Sequence, residues 1–262
     1  MKPFLLFLLL FFSGCTLLEH LKNSKEPPKL ITLLIVNEKY SGGRELKTIK
    51  GGIKKFKRVL ERIGVDEVLP IEYDVTYSGL QRAFDKLETK IKDKKNTNIF
   101  IYFSGHGVMS KDLSNAYVEM IDESNRTLVN LNIFYDFINK INVRATVLAI
   151  DACRDKDNVS SVHRIEGKMR TLPKNLYMSY PIQDAETTLG VILGEEVTFY
   201  LKSLTKHIRK NINAKDVFNA VGKDLIEELQ KHNFNGNQKR IDTLNKEFFF
   251  YHSLEDGILT AG

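Results

Sequence analysis

The sequence predicts an α/β protein built on a mainly parallel sheet of about six strands with helices on both sides. Short apolar runs, typical of strands buried on both faces, alternate along the chain with segments whose apolar residues recur at helical spacing. The 262 residues are 42% hydrophobic and 27% charged, a composition that supports one globular domain with a real core. Strands that alternate with helices indicate βαβ units, and hence parallel strands.

Six short runs rich in apolar residues are the predicted strands. In chain order they cover residues 30–36, 65–69, 99–103, 146–150, 176–178 and 248–251. Pro70 ends the second run, because a proline has no N–H to donate to a neighbouring strand. Residues 40–44 and a long polar stretch over residues 154–174 are predicted to be loops.

Five segments have apolar residues three and four positions apart, as on one face of a helix. The first carries Ile53, Phe56 and Leu60 on that face, and we expect Gly64 to end it. The other predicted helices cover residues 80–91, 132–141, 195–208 and 216–229. Asn213 is placed to cap the last of them.

The first fifteen residues have the features of an export signal. Lys2 precedes the nine apolar residues 4–12, a stretch too short to cross a hydrocarbon core of about 30 Å. The Ser-Gly-Cys that follows resembles the bacterial lipobox, in which the cysteine is lipidated and becomes the first mature residue. We therefore expect a lipoprotein signal over residues 1–15, lipid on Cys15, and a polar tether over residues 16–29. A plain cleaved signal and an uncleaved anchor are the alternatives.

The charge of the chain indicates its partners and its location. The net charge is +6 and the basic residues are spread along the chain, which favours solvated helix faces. The sequence has no Trp and no basic patch interleaved with aromatic residues, so we expect no nucleic-acid partner. With lipid on Cys15, the expected location is the extracytoplasmic side of a bacterial cell envelope, where the lipid attaches the protein to a membrane.

Two predicted strands end in small polar clusters that carry reactive side chains. His106 lies between Gly105 and Gly107 after the strand at 99–103, and Cys153 follows the strand at 146–150. Because chemistry in open α/β sheets collects at the carboxyl ends of strands, neighbouring strands would bring His106 and Cys153 together. If Cys15 carries lipid, Cys153 has no disulfide partner within the chain.

This pair of side chains fits nucleophilic catalysis. A nearby imidazole increases the reactivity of a thiol or takes its proton, and the N–H groups of Gly107 and Cys153 can form an oxyanion hole. Taken singly, a cysteine at a strand end is most often a small buried apolar residue, and a histidine in a loop is usually a surface residue. Metal binding is less well supported, because no close-spaced pair of ligands is present.

The stretches FIYFSGHG and VLAIDACRD resemble the caspase-like cysteine peptidases of family C14 (clan CD), in particular their bacterial metacaspase-type branch. The separation of 47 residues between His106 and Cys153 agrees with the spacing of about 50 known for caspases. Weaker similarity is found in LLIVNEKY, GEEVTFYLKSLTKHI and FFFY. The resemblance implies a caspase-like domain over residues 30–262, with a larger half at about 30–155 and a smaller half at about 175–255.

The resemblance also implies an activity, that of a cysteine endopeptidase acting on protein or peptide substrates. Cys153 would attack the peptide carbonyl, and His106 would transfer the protons. Asp151 matches the acid that lines the first specificity pocket and would select a substrate Arg or Lys. Relatives carry a second pocket acid at a position that falls at Lys55 here. Lys55 either pairs with Asp151 and weakens that preference, or it faces solvent.

Three further expectations follow from the same resemblance. Arg164, Lys168 and Arg170 lie where some relatives cut themselves, although this stretch can equally be an ordinary loop. No cofactor is required, but Asp155 and Asp157 are candidate ligands of an activating calcium ion. Two other functions remain open: a catalytically silent binding module, and a thiol acyltransferase of the same fold.

Overall fold

The computed structural model of the chain describes residues 27–46, 49–110, 115–122, 126–152, 155–156, 162–168, 172–180, 197–210, 212–231, 250–252 and 258–259. The helices are α1 (Ile49–Arg62), α2 (Tyr77–Lys90), α3 (Asn132–Ile141), α4 (Phe199–His207) and α5 (Ala214–Lys231), with a 3₁₀ turn at Lys94–Asn96. The strands are β1 (Lys29–Val36), β2 (Glu67–Val68), β3 (Glu72–Tyr73), β4 (Thr97–Gly105), β5 (Gly107–Met109), β6 (Ala116–Met120), β7 (Arg126–Asn130), β8 (Ala145–Ala152), β9 (Asp155–Lys156), β10 (Val162–Ile165), β11 (Leu176–Ser179), β12 (Ile212–Asn213), β13 (Phe250–His252) and β14 (Ile258–Leu259).

A central sheet of seven strands organises the fold. Its order is β13-β11-β8-β4-β1-β2, and β3 also pairs with β1. Every pairing in it is parallel except that between β11 and β13. The predicted fold class, a mainly parallel α/β sheet flanked by helices, is confirmed.

Two apolar layers, one on each face of the sheet, hold the helices in place. Strand β1 sends Ile31, Leu33 and Ile35 into the layer that contains the apolar faces of α2 and α3. Its alternate residues Leu34 and Val36 enter the layer formed with α1, α4 and α5. Because helices cover both faces, the strand has no solvent-facing side, and this explains its continuous apolar sequence.

The helix ends follow the predicted chemistry. Gly64 has a φ of +83° just after α1, a left-handed conformation in which glycine has no steric penalty. The side-chain oxygen of Asn213 accepts a hydrogen bond from the N–H of Lys215 at 2.8 Å, which caps α5 as expected. The strand predicted at 65–69 is shorter than expected, because only Glu67 and Val68 pair with β1.

A second sheet, absent from the sequence prediction, lies beyond the end of β4. Its order is β10-β7-β6-β5-β9. Its strands have two to five residues each and mix apolar with polar side chains, so they lack the long apolar runs that mark the central sheet. Since β5 begins one residue after His106, this sheet borders the candidate site.

The prediction that residues 154–174 form a loop was wrong in part, because β9 and β10 lie within that stretch. Strand β10 pairs in parallel with the edge of β7, which offers backbone groups that a further strand can satisfy. Gly167 then packs so closely on the backbone of Asn132 that a side chain there would overlap it. The N–H of Lys168 donates to the Asp136 carboxylate at 2.6 Å. Self-cleavage after Arg164, a member of β10, would therefore require this strand to detach first.

The predicted signal, Cys15 and most of the tether lie outside the described residues. Among the helices that the structure describes, none is both long enough and apolar enough to span a membrane.

Candidate active site

The strands that lead to His106 and Cys153 are direct neighbours in the central sheet. Strands β4 and β8 run parallel, with Ser104 opposite Asp151 and Gly105 opposite Ala152. His106 and Cys153 are the next residue on each chain segment. The two strands are thus neighbours, which is the condition on which the sequence argument depended, while Cys153 itself lies outside the described residues.

The imidazole of His106 is fixed by the loop that follows β1. Its Nε2 atom lies 2.8 Å from the carbonyl oxygen of Arg44. Because a carbonyl oxygen only accepts hydrogen bonds, Nε2 carries the proton, and in the neutral ring Nδ1 has the free lone pair. Nδ1 is therefore the nitrogen that can act as a base.

Tyr40 holds His106 from a second direction. The Tyr40 hydroxyl accepts a hydrogen bond from the backbone N–H of His106 at 2.9 Å and donates to the carbonyl of Glu119 at 3.2 Å. The two rings pack with their centroids 4.4 Å apart. Burial raises the pKa of Tyr40 strongly, so the hydroxyl stays neutral. A side chain at Gly105 would collide with this hydroxyl, which explains the glycine before His106.

Glu119, in β6, is a buried carboxylate beside the same loop. Its Oε2 accepts from Arg44 Nη1 at 2.9 Å, and its Oε1 accepts from Arg44 Nη2 at 2.5 Å. Arg126 donates to Oε2 from Nε at 3.1 Å and from Nη2 at 2.8 Å. Burial alone would raise the pKa of Glu119, but the hydrogen bonds from Arg44 and then Arg126 outweigh it and lower the pKa overall. Glu119 is therefore a charged, fully paired group.

Asp151 lies near the end of β8, opposite Ser104 of β4. It is only 4% exposed, and its Oδ2 accepts hydrogen bonds from the hydroxyls of Tyr102 (2.6 Å) and Thr198. Thr198 is also the N-cap of α4, since its hydroxyl oxygen accepts from the N–H of Leu201. Burial raises the pKa of Asp151 to about 6, although both hydrogen bonds oppose this effect.

Lys55 is exposed on α1, whereas the neighbouring Phe56 is fully buried. The described hydrogen bonds of Asp151 go to Tyr102 and Thr198 rather than to Lys55. Of the two alternatives for Lys55, the structure thus favours the one in which it faces solvent.

The other predicted site residues are placed as follows. Gly107 is buried and begins β5, opposite Val118 of β6. Arg164 is exposed in β10. Of the candidate calcium ligands, Asp157 lies outside the described residues, and only the backbone of Asp155 is described. Within the described part of the chain, no group of three or more His, Cys, Asp or Glu side chains converges as a metal site requires.

The groups that hold His106 and Asp151 could not be found from the sequence. In sequence, Tyr40 and Arg44 are separated from His106 by 66 and 62 residues, and Thr198 is separated from Asp151 by 47. Local spacing carries no information on such contacts. A weak hint lay in LLIVNEKY, which contains Tyr40 four residues after the end of a buried strand.

A three-layer α/β sandwich whose neighbouring strands lead into a histidine and a cysteine has the architecture of a caspase-like protein. The sequence profile of the C14 peptidase caspase domain matches residues 29–248. This match covers well over half of the 262 residues, and the chain belongs to the C14 caspase-domain family. No curated protein matches the chain significantly.

Proposed function

We propose that the protein is a cysteine endopeptidase of the bacterial metacaspase type that cleaves after Arg or Lys, with Cys153 as nucleophile and His106 as acid and base. The observation that carries this proposal is the orientation of His106. Its Nε2 donates to the Arg44 carbonyl, which leaves Nδ1 as the basic nitrogen. His106 follows β4, and β4 is paired with β8, the strand that leads to Cys153.

The proposed reaction begins when Nδ1 of His106 removes the thiol proton of Cys153. The thiolate attacks the scissile carbonyl, and the resulting oxyanion is stabilised by the N–H groups of Gly107 and Cys153. The imidazolium then protonates the leaving amine, and water, deprotonated by the same imidazole, hydrolyses the thioester to free acid and thiol. Throughout, the bond from Nε2–H to the Arg44 carbonyl stabilises the positive charge on the ring.

The register of β5 supports the role given to Gly107. The N–H of Glu119 donates to the carbonyl of His106 at 2.9 Å, and Gly107 lies opposite Val118. In an antiparallel ladder this marks Gly107 and Val118 as a pair that does not exchange hydrogen bonds. The N–H of Gly107 is consequently not used for pairing with β6.

The environment of Asp151 supports a preference for basic residues. Its described hydrogen-bond partners are neutral hydroxyls, so no described partner offsets its negative charge. With a pKa of about 6, the carboxyl is mostly ionised at neutral pH. A substrate guanidinium or ammonium would supply the opposite charge.

The test is cleavage of matched fluorogenic peptides that end in Arg, Lys, Asp or Leu, with and without calcium, by wild type and by Cys153→Ala. We expect cleavage after Arg and Lys that is lost in the variant. Equal cleavage by both proteins would refute the dyad. Peptide binding without cleavage would instead indicate a silent binding module, and conversion of an added amine into an amide product would indicate an acyltransferase.

We also propose that lipid on Cys15 anchors the protein to the outer side of a bacterial cell membrane, as the lipobox-like Ser-Gly-Cys suggests. A Cys15→Ser variant should lose incorporation of labelled palmitate and leave the membrane fraction, while Cys153→Ala should retain both properties. Labelling of Cys15→Ser at the wild-type level would contradict the anchor.

A further inference from the structure

We propose that Glu119 is a positioning residue for His106, because it fastens Arg44 and thereby holds the Arg44 carbonyl against Nε2. This inference rests on the proposed peptidase function for its kinetic consequence, but not for its structural one. It assigns a role in the reaction to a residue that lies outside the dyad, the oxyanion hole and the specificity pocket.

Among the described residues, Asp74 holds the start of the Arg44 loop through the N–H groups of Glu38 and Lys39, and the Arg44 side chain holds its tip, where it also lies over the Tyr40 ring. Ser41, Gly42, Gly43 and Glu45, on both sides of Arg44, are exposed. Gly42 and Gly43 have φ angles of +73° and +72°, the left-handed conformation that glycine adopts most freely. A backbone bond from the N–H of Leu46 to the carbonyl of Glu38 closes the loop at its base. Its tip is therefore secured through the side chain of Arg44.

Glu119 provides that fastening in a geometry that restricts Arg44. Two guanidinium nitrogens of Arg44 meet the two oxygens of Glu119, and a paired, charge-assisted contact of this kind fixes orientation as well as distance. The Glu119 side chain is 1% exposed and the Arg44 side chain 34%, so the carboxylate end of the pair is shielded from water while the arginine is partly exposed. The Arg44 side chain is thus held at a buried point while its own carbonyl reaches Nε2 of His106.

The backbone of Glu119 contacts the same site independently of its carboxylate. Its N–H donates to the carbonyl of His106, and its carbonyl accepts from the hydroxyl of Tyr40. A substitution of the side chain leaves these two contacts in place. The effect of the carboxylate on His106 can therefore be separated from the general integrity of β6.

Loss of the Glu119–Arg44 contact should release the Arg44 carbonyl from Nε2. The neutral ring would then also adopt the tautomer protonated at Nδ1, which cannot accept the thiol proton. Misplacement of a catalytic group by about 1 Å can reduce a rate about 100-fold. We expect kcat to fall about 10-fold to 100-fold, with KM changed less than about 2-fold, because Asp151 is untouched.

The experiment compares the full-length protein with Glu119→Gln and Arg44→Met. In Arg44→Met the buried carboxylate keeps Arg126 as its partner, so this variant should fold even if Glu119→Gln does not. The first readout is the ¹⁵N NMR spectrum of His106 at about pH 8, which reports which ring nitrogen carries the proton in the neutral form. The second is the separation of kcat from KM on the Arg peptide.

Two controls accompany these variants. Arg126→Met removes the other arginine from Glu119 without touching Arg44, and it should leave the His106 tautomer as in wild type. Lys86→Met removes a surface ion pair with Glu72 and should change neither readout.

We expect His106 to be protonated at Nε2 in wild type and to become a mixture of tautomers in both test variants. An unchanged tautomer with unchanged kcat in Arg44→Met would overturn the proposal. If wild type cleaves nothing, the NMR readout still decides the positioning role, so failure of the proposed function and failure of this inference are distinguishable.

Discussion

Glu119 and Asp151 are both buried carboxylates beside the candidate site, yet they differ in charge balance. Burial on its own raises the pKa of each. Glu119 accepts hydrogen bonds from two guanidinium groups, and its pKa ends below the ordinary value. Asp151 accepts from two neutral hydroxyls, and its pKa ends at about 6. Hydroxyl donors thus fail to offset burial, whereas guanidinium donors more than offset it.

The difference suits the two groups to the different roles proposed for them. The negative charge of Glu119 is balanced within the protein by Arg44 and Arg126. Asp151, two residues before Cys153, has a negative charge that its described partners do not balance. This balance is consistent with the positioning role proposed for Glu119, and the unbalanced charge of Asp151 is consistent with the proposed binding of a basic substrate residue.

The largest expected difference between the two carboxylates is in substrate choice, which Asp151→Asn should alter. Removing the charge while keeping the shape should lower kcat/KM for the Arg peptide about 100-fold or more, because a desolvated charge pair loses one partner. The Leu peptide should change little, since it makes no such pair. Steady-state kinetics on both peptides tests this, and an equal loss on both would show that Asp151 does not read the substrate charge.

Two effects on stability, similar in size and opposite in sign, come next, and the first is that of Glu119. Glu119→Gln leaves two arginines without their buried partner and should lower the free energy of unfolding by about 2–3 kcal/mol at neutral pH. The loss should shrink as the pH falls through the lowered pKa of Glu119, because the wild-type carboxylate then loses its charge too. Urea unfolding at several pH values measures the loss of stability and its pH dependence. Lys86→Met is a surface-pair control whose effect should stay within about 1 kcal/mol. A loss in Glu119→Gln no larger than in that control would mean that the ion pairs contribute little.

Removing the charge of Asp151 should have the opposite effect on stability and raise the free energy of unfolding at high pH. A carboxyl whose pKa is raised to about 6 makes the folded state less stable above that pH, by about 3 kcal/mol at 1.4 kcal/mol for each pH unit. Asp151→Asn should therefore be more stable than wild type at about pH 8. The advantage should decline as the pH falls below about 6 and vanish near pH 3, where the acid is protonated in the folded and the unfolded state alike. Thermal unfolding across this range tests it, and a variant less stable than wild type at high pH would contradict it.

This contrast also shows which parts of the molecule local sequence reveals. Strand β4 and helix α3 were predictable because an apolar run and a helical spacing are local patterns, and His106 stood out because it ends such a run. The pairing of Glu119 with Arg44 spans 75 residues, and no local pattern in β6 distinguishes an acid bound by two arginines from a solvent-facing one. The charge state of Asp151 likewise depends on Thr198, which is brought to it by the packing of α4.

The smallest expected effect separates the two tasks of Thr198, which caps α4 and donates to Asp151. Thr198→Val should lose about 1 kcal/mol of stability, as for other N-caps. Because the Thr198 hydrogen bond lowers the pKa of Asp151, its loss should raise that pKa. Preference for the Arg peptide, measured as the ratio of its kcat/KM to that of the Leu peptide, is lost when low pH protonates Asp151. In Thr198→Val this loss should occur at a higher pH than in wild type.

The control for Thr198→Val is Thr76→Val, which removes the equivalent cap of α2 far along the chain from Asp151. Both variants should lose similar stability, but Thr76→Val should leave the pH dependence of the ratio where wild type has it. In the proposed mechanism His106 and Cys153 act on both peptides alike, so their ionisation cancels in the ratio and a displaced midpoint reports on Asp151. If both variants shared the wild-type midpoint, Thr198 would be a helix cap only, and the charge of Asp151 would be set by burial and Tyr102 alone.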